Sequence, residues 1–192
     1  MHITNPFANP EKIIGICGGG QLGKMLCEAA SAWDWKTAVL DQSPDDPAAR
    51  LAHKFVQGDF TKYEDVLNFG KQVDVLTIEI EKVNLEALIE LEKMGKIVHP
   101  SPRALGIIKD KALQKQFFID QGLPTVPQEL FDTKADVLKA IESGFLQIPF
   151  VQKLRTDGYD GRGVAIIRTE EDLNLLLDGL CLVEPLVEIE AE

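Results

Sequence analysis

Along the first hundred residues the apolar positions switch repeatedly between two periods. Short runs rich in β-branched residues recur at Lys12 to Ile16, Lys36 to Leu40, His53 to Gln57, Val73 to Ile78 and Ile97 to His99. Between them, apolar residues return every three or four positions. The first such stripe carries Leu22, Met25, Leu26, Ala29, Ala30 and Trp33; others run from Tyr63 to Phe69, closed by Gly70, and from Leu85 to Met94. The runs predict strands and the stripes predict helices. Alternating strands and helices predict a parallel sheet with both faces covered.

Pro100-Ser101-Pro102 interrupts this pattern, because proline withholds a ladder donor and steers its predecessor away from helical geometry. A second region is expected from there, giving domains at 1–102 and 103–192. Arg103 to Ile108 and Asp110 to Gln121 read as helices, the second stopped by Gly122. A strand is expected at Gln128 to Phe131, then a helix capped by Asp132 or Thr133 that runs to Ile141 and stops at Ser143-Gly144. Ile148 to Leu154 and Val164 to Ile167 read as the arms of a hairpin. Thr169-Glu170-Glu171-Asp172 has the form of a capping box opening a helix to Leu177, and Cys181 to Glu184 is the last strand.

Composition narrows the possible partners. With 192 residues and 45% apolar residues the chain can bury an ordinary core. Its formal charge of −11 argues against nucleic acid or an anionic membrane as a broad partner, since both would be repelled before local contacts formed. Any phosphate must therefore be met by local cations and backbone amides. The three cysteines, Cys17, Cys27 and Cys181, form no C-x-x-C pair and read as reduced, buried thiols. His2, His53 and His99 stand far apart, which disfavours a histidine metal site. No apolar run approaches the roughly 20 residues of a membrane span, and Met1-His2-Ile3-Thr4-Asn5-Pro6 lacks the charged start and apolar core of a signal peptide. A cytoplasmic protein is expected.

Three stretches carry candidate chemistry. Gly18, Gly20 and Gly23 satisfy G-x-G-x-x-G between the first strand and first helix, a spacing that lets the backbone turn sharply and aim amides at an anion. The same glycines could merely close a strand-helix turn. Asp41 ends the second strand eighteen positions after Gly23. An acid there would hold a ribose in a dinucleotide-binding fold, so an NAD-dependent dehydrogenase is one reading; turn chemistry continuing through Asp45-Asp46 is the other. Glu79 and Glu81 follow the fourth strand at the sheet edge where α/β folds bind ligands, although acids also favour helix starts. Finally, the hairpin tip between Lys153 and Val164 is longer than the roughly two to five residues a hairpin needs. Gly158, Gly161 and Gly163 can turn amides toward phosphate, with Lys153 and Arg155 supplying charge.

Taken together, Gly18 to Met25, Thr77-Ile78-Glu79-Ile80-Glu81, His99-Pro100-Ser101-Pro102, Asp110-Lys111 with Gln114-Lys115, and Gly158-Tyr159-Asp160-Gly161-Arg162-Gly163 resemble the ATP-grasp ligases of purine synthesis, most closely the carboxyaminoimidazole ribonucleotide synthetases. The resemblance runs from about Lys12 to Glu192. It implies a Rossmann-like parallel sheet domain (pre-ATP-grasp) followed by a small α+β ATP-grasp lid subdomain. It further implies that ATP phosphorylates bicarbonate to carboxyphosphate and that the amine of 5-aminoimidazole ribonucleotide is then carboxylated. By position, Lys111 and Lys153 would contact ATP phosphates. Gly158, Tyr159, Asp160, Gly161, Arg162, Gly163 and Val164 would form the lid; Glu184, Pro185, Leu186 and Val187 would form the adenine hinge; Glu192 would meet the ATP ribose. Gly20, Gln21, Leu22 and Glu79 would hold the nucleotide substrate. Mg²⁺ ligands and much of the bicarbonate site are expected in a further domain beyond Glu192, so these residues alone are not expected to turn over; a homodimer is expected of the full-length enzyme. Asp157 stands where the family usually has glycine, Val164 where it has glutamine, and Pro185 where it often has lysine. Proline there keeps its carbonyl for an adenine amine but offers no N–H. Alternatives on the same residues are another ATP-grasp ligase, such as a formate-dependent glycinamide ribonucleotide transformylase, the NAD-binding dehydrogenase, or a non-catalytic nucleotide-binding module.

Overall fold

The structure, a computed structural model, describes residues 11–156, 158 and 163–188. The chain divides into two compact units, Met1–Gly106 and Ile107–Glu192.

In the first unit, β1 (Ile13–Cys17), β2 (Lys36–Asp41), β3 (Lys54–Gln57), β4 (Val75–Ile78) and β5 (Ile97–His99) form one parallel sheet in the order β3-β2-β1-β4-β5. Side chains alternate across a strand, so neighbouring residues enter different cores. Cys17, Ala38, Leu40 and Leu76 pack with Val66, Leu67 and Phe69 of α2 (Tyr63–Lys71) and with Leu88 and Leu91 of α3 (Leu85–Lys93). Ile16 and Val39 point the other way and meet Cys27 of α1 (Gln21–Ser31) together with Ala48. Both faces are thus covered along β2, which is buried almost throughout, whereas over β1 and β4 the residues Ile14, Ile16 and Thr77 line an apolar groove beside α1, and the predicted stripe residues Leu22, Met25, Leu26 and Trp33 are exposed.

Details of this unit differ from the sequence expectation. Gly70 does not stop α2; it lies inside the helix, where a β-carbon would fall 2.2 Å from Leu91 Cδ1, so it lets α2 and α3 approach closely. The fourth strand begins at Val75, not Val73. Asp74 spends its backbone N–H on the Ile13 carbonyl and its carboxylate on the Ile13 N–H, which clips the start of β1 before the ladder proper.

The second unit is built on an antiparallel sheet in the order β6-β9-β7-β8, made of β6 (Glu129–Phe131), β7 (Phe150–Leu154), β8 (Val164–Ile167) and β9 (Cys181–Pro185). One face packs Phe150, Ala165, Ile167, Cys181 and Val183 against Val137 of α6 (Lys134–Glu142), whose N-terminus is capped by Thr133. Gln152 is buried and its amide bridges the Leu177 carbonyl and N–H, both at 2.8 Å, replacing ladder bonds that the irregular segment before β9 cannot make. Asp110 caps α5 (Lys111–Asp120), which ends ahead of Gly122 in left-handed conformation. The division between the units falls within α4 (Pro102–Lys109).

The capping box at Thr169 and Asp172 is present, but it opens a 3-10 turn, Glu170–Leu175, where an α-helix to Leu177 was expected. Leu173 within this turn and Leu176 just after it enter the same apolar core. All three cysteines are free and buried. Among the described residues no helix is long and apolar enough to cross a membrane.

Candidate functional site

The first unit gathers its chemistry at the C-terminal edge of the parallel sheet. Strand order reverses about β1, with β2 and β3 on one side and β4 and β5 on the other, so the switch point at which open α/β sheets bind ligands falls at the ends of β1 and β4. Gly18 turns the chain there with φ +109°, a conformation that L side chains rarely adopt. Gly23 packs against it: a β-carbon on Gly23 would lie 2.3 Å from the Gly18 carbonyl oxygen. Glu79 follows β4 and donates its N–H to the Cys17 carbonyl at 2.9 Å. Its carboxylate lies over the turn, 2.2 Å from where a β-carbon on Gly18 would be and 3.6 Å from that position on Gly20.

Of the residues expected to hold a substrate here, Gly20 is the N-cap of α1 and Gln21 and Leu22 begin the helix, with Leu22 57% exposed. The structure brings Glu79 and Gly20 together. It also supplies a partner that sequence reasoning assigned elsewhere. Asp41 accepts the Gly19 N–H on Oδ2 and the Gln42 N–H on Oδ1, so the expectation of an amide of this turn free for an anion is not met at Gly19. Burial pushes the Glu79 carboxyl above its usual range, and the charges of Asp41 and Glu81 push it further. Asp46 is raised in the same direction by partial burial and by Asp41. Behind them the Cys17 thiol is pushed up to about 12 by burial and the Asp41 charge, so it stays protonated. The turn therefore presents acceptors and negative charge.

The second unit has the opposite character. Glu184, buried on β9, takes an ammonium on each carboxylate oxygen: Lys115 Nζ donates to Oε1 and Lys153 Nζ, from β7, donates to Oε2 at 2.6 Å. Burial alone would raise the Glu184 carboxyl, but these two hydrogen-bonded cations hold it below its usual range. Two ammoniums against one carboxylate leave one net positive charge. Lys111 adds another, donating Nζ to the Gly158 carbonyl at 3.0 Å and its N–H to the Arg155 carbonyl at 2.9 Å.

The root of the long hairpin is fastened to the start of α5. Arg155 donates from Nε and Nη2 to Asp110, at 3.0 and 2.5 Å, while Asp110 also caps α5 through the Ala112 and Leu113 amides. Partial burial raises the Asp110 carboxyl, yet the Arg155 guanidinium and those amides outweigh it and hold the group below its usual range; Arg155 is raised in turn. At the other end of the loop Gly163, with φ +74°, accepts the Leu154 N–H at 2.8 Å just before Val164 begins β8.

Lys153 and Lys115 thus share Glu184, and Lys111 separately holds the Gly158 carbonyl, while Pro185 ends β9 and Leu186 and Val187 follow it, Val187 exposed. Tyr159, Asp160, Gly161, Arg162 and Glu192, and the Asp157 departure, lie outside the described residues. Lys115 stood in the motif with Gln114, but reasoning from sequence gave it no role. Its signal was the spacing Lys111 to Lys115, one helical turn, which puts both ammoniums on one face of α5.

Residues 11–109 match the family model described as the ribonucleotide synthetase preATP-grasp domain, and the chain belongs to that family. Its relatives agree across both units. The chain is 40% identical over 174 residues to the phosphoribosylaminoimidazole carboxylase of Candida glabrata, covering 88% of this chain and 30% of that one. Among solved structures, the N5-carboxyaminoimidazole synthetase of Staphylococcus aureus complexed with ADP superposes with a TM-score of 0.84 at 32% identity, covering 94% of this chain and 48% of the other. The N5-carboxyaminoimidazole synthase of Aspergillus clavatus, in complex with ADP and 5-aminoimidazole ribonucleotide, gives 0.80 at 29% identity, covering 93% and 47%. The chain therefore spans about half the length of these synthetases.

Proposed function

We propose that this chain forms the nucleotide-substrate domain and the ATP-gripping lid subdomain of a carboxyaminoimidazole ribonucleotide synthetase. The observation that carries this reading is the set of cations on α5 and β7, Lys115 and Lys153 on Glu184 and Lys111 on the Gly158 carbonyl, in a chain similar to a synthetase solved in complex with ADP. Lys111 and Lys153 would take ATP phosphates, Glu184 to Val187 the adenine, and Glu192 the ATP ribose. The loop from Gly158 to Val164 would close over the phosphates and exclude water from an acyl phosphate that hydrolyses readily. Gly20, Gln21, Leu22 and Glu79 would hold the ribonucleotide.

In the whole enzyme a bicarbonate oxygen would attack the γ-phosphorus of ATP, releasing ADP and forming carboxyphosphate. The exocyclic amine of 5-aminoimidazole ribonucleotide would then attack the carbonyl carbon, releasing phosphate. Mg²⁺ neutralises charge in such transfers. Among the described residues no group of three His, Cys, Asp or Glu stands together to hold it, and we assign its ligands to residues beyond them. A cytoplasmic homodimer is the assembly this reading implies for the full enzyme.

Thermal-shift titration tests the reading, because a ligand bound only by the folded state raises apparent stability. ATP and 5-aminoimidazole ribonucleotide should each raise the midpoint and NAD should not. Stabilisation by NAD alone would overturn the assignment. The 192 residues should also fail to release ADP from ATP, Mg²⁺, bicarbonate and the ribonucleotide; turnover at about 1 per second or faster would show the site to be complete within them.

A further inference from the structure

The glycine turn of the first unit has the spacing of a phosphate cradle, yet its surroundings are those of a site that rejects phosphate. Asp41 ends β2 with its carboxylate directed into the turn, where Oδ2 takes the Gly19 N–H and Oδ1 takes the Gln42 N–H at 2.7 Å. The approach is close: a β-carbon on Gly19 would fall 3.1 Å from Asp41 Cβ and 3.3 Å from Asp46 Cβ. From the β4 side the Glu79 carboxylate covers Gly18 and reaches toward Gly20. A dinucleotide fold lays its pyrophosphate across this turn and binds it through these amides. Here the Gly19 amide is satisfied from within the protein, and an arriving pyrophosphate would meet a carboxylate on either side.

We propose that Asp41 is a specificity-determining residue: together with Glu79 it closes the Gly18–Gly20 turn to phosphate and leaves it open to a hydrogen-bond-donating ligand, such as the hydroxyls or amine of a ribonucleotide whose phosphate lies off the turn. This rests on the reading of the first unit as a nucleotide-substrate domain and adds to it which end of the substrate the turn can accept. The raised Glu79 and Asp46 carboxyls agree with it, since both feel the Asp41 charge. Asp41 acts by position and charge; it has no part in bond making.

The test titrates inorganic pyrophosphate and NAD into the wild type, Asp41→Asn, and the double variant Asp41→Asn with Glu79→Gln, following the Gly19 amide by ¹⁵N-resolved NMR. Asparagine keeps an acceptor for Gly19 and removes only the charge. Millimolar pyrophosphate should leave the wild-type Gly19 amide unmoved, and the double variant should bind it about tenfold tighter or more. The inference is overturned by a shifted wild-type Gly19 amide under pyrophosphate, or by a folded double variant whose pyrophosphate affinity stays within about twofold of wild type. Should the double variant fail to fold, Asp41→Asn alone is held to the same comparison with a smaller expected gain. A wild type that ignores 5-aminoimidazole ribonucleotide would instead overturn the functional reading, and the two failures are told apart by ligand.

Discussion

Glu184 in the antiparallel unit is a buried carboxylate with an ammonium on each oxygen, whereas Glu79 in the parallel unit is a partly buried carboxylate whose charged neighbours are Asp41 and Glu81. Burial disfavours both anions, and what differs is the company each keeps. Two lysines reverse the effect of burial at Glu184; two acids add to it at Glu79. One chain of net charge −11 thus carries one carboxylate held among cations and one held among acids. Net charge describes the approach of a ligand, and the local partners decide what is held.

The sharpest way to break this comparison is Glu184→Gln. Removing one member of a buried ion pair costs about 3–5 kcal/mol, because the remaining charge stays desolvated. Lys115 is 10% exposed and cannot easily rehydrate, while Lys153 at 33% can, so a loss near the lower figure is expected in urea unfolding. A loss below about 1 kcal/mol would mean that Glu184 does not organise the lysines. Gly18→Ala should follow at about 2 kcal/mol, from the left-handed backbone and the displacement of Glu79. Asp110→Ala should cost a similar or slightly smaller amount, about 1 kcal/mol for the lost cap and up to about 1 more for the partly exposed pair with Arg155. Faster hydrogen exchange at Arg155 should accompany it.

The smallest expected effect is in the pH profile, where the two sites pull in opposite directions. Glu184 and Asp110 have folded pKa values below their ordinary 4.5 and 3.8, so the stability they contribute is complete above those values and is lost as pH falls through the folded ones. Glu79 is raised above 4.5, so its ionised form disfavours the fold, and that penalty disappears as pH falls through its folded value. Mild acidification should therefore relieve the parallel unit before it harms the antiparallel one. Glu79→Gln should stabilise the protein near neutrality by less than about 1 kcal/mol and flatten the upper part of the profile in thermal unfolding. An unchanged profile would remove Glu79 from the comparison.

The fold was more legible in the sequence than the partnerships within it. Strand and helix alternation up to His99 follows from periodicity, and the parallel sheet follows from the alternation. Boundaries were missed where one side chain settles them: Asp74 clips β1 and shortens β4, and Gly70, a stop signal by composition, serves as a contact with Leu91. At the sites, motif order marked Glu79, Lys111 and Lys153, each next to a strand end, a helix start or a glycine loop. Asp41 was visible as an acid in the right place, but no spacing rule tells whether its carboxylate faces a ribose or the Gly19 amide. The role of Lys115 was hidden for a related reason. Its partner Glu184 is 69 residues away, and only the docking of α5 beside β9 brings them together.

The position of β1 at the centre of its sheet also bears on how the protein is made. Its partner on one side, β2, begins at Lys36, but its partner on the other, β4, begins only at Val75. A ribosome adds about 5–20 residues per second, so the open edge of β1 waits several seconds for β4, and Glu79 arrives with it as the last carboxylate of the turn. A nascent chain whose β1 has already paired with β2 would display over that interval an unpaired parallel edge flanked by Ile14 and Ile16, the kind of surface that recruits chaperones or a second nascent chain. Substitutions that slow β4 docking, such as at Val75 or Leu76, should therefore reduce soluble yield more than their effect on the stability of the finished protein accounts for.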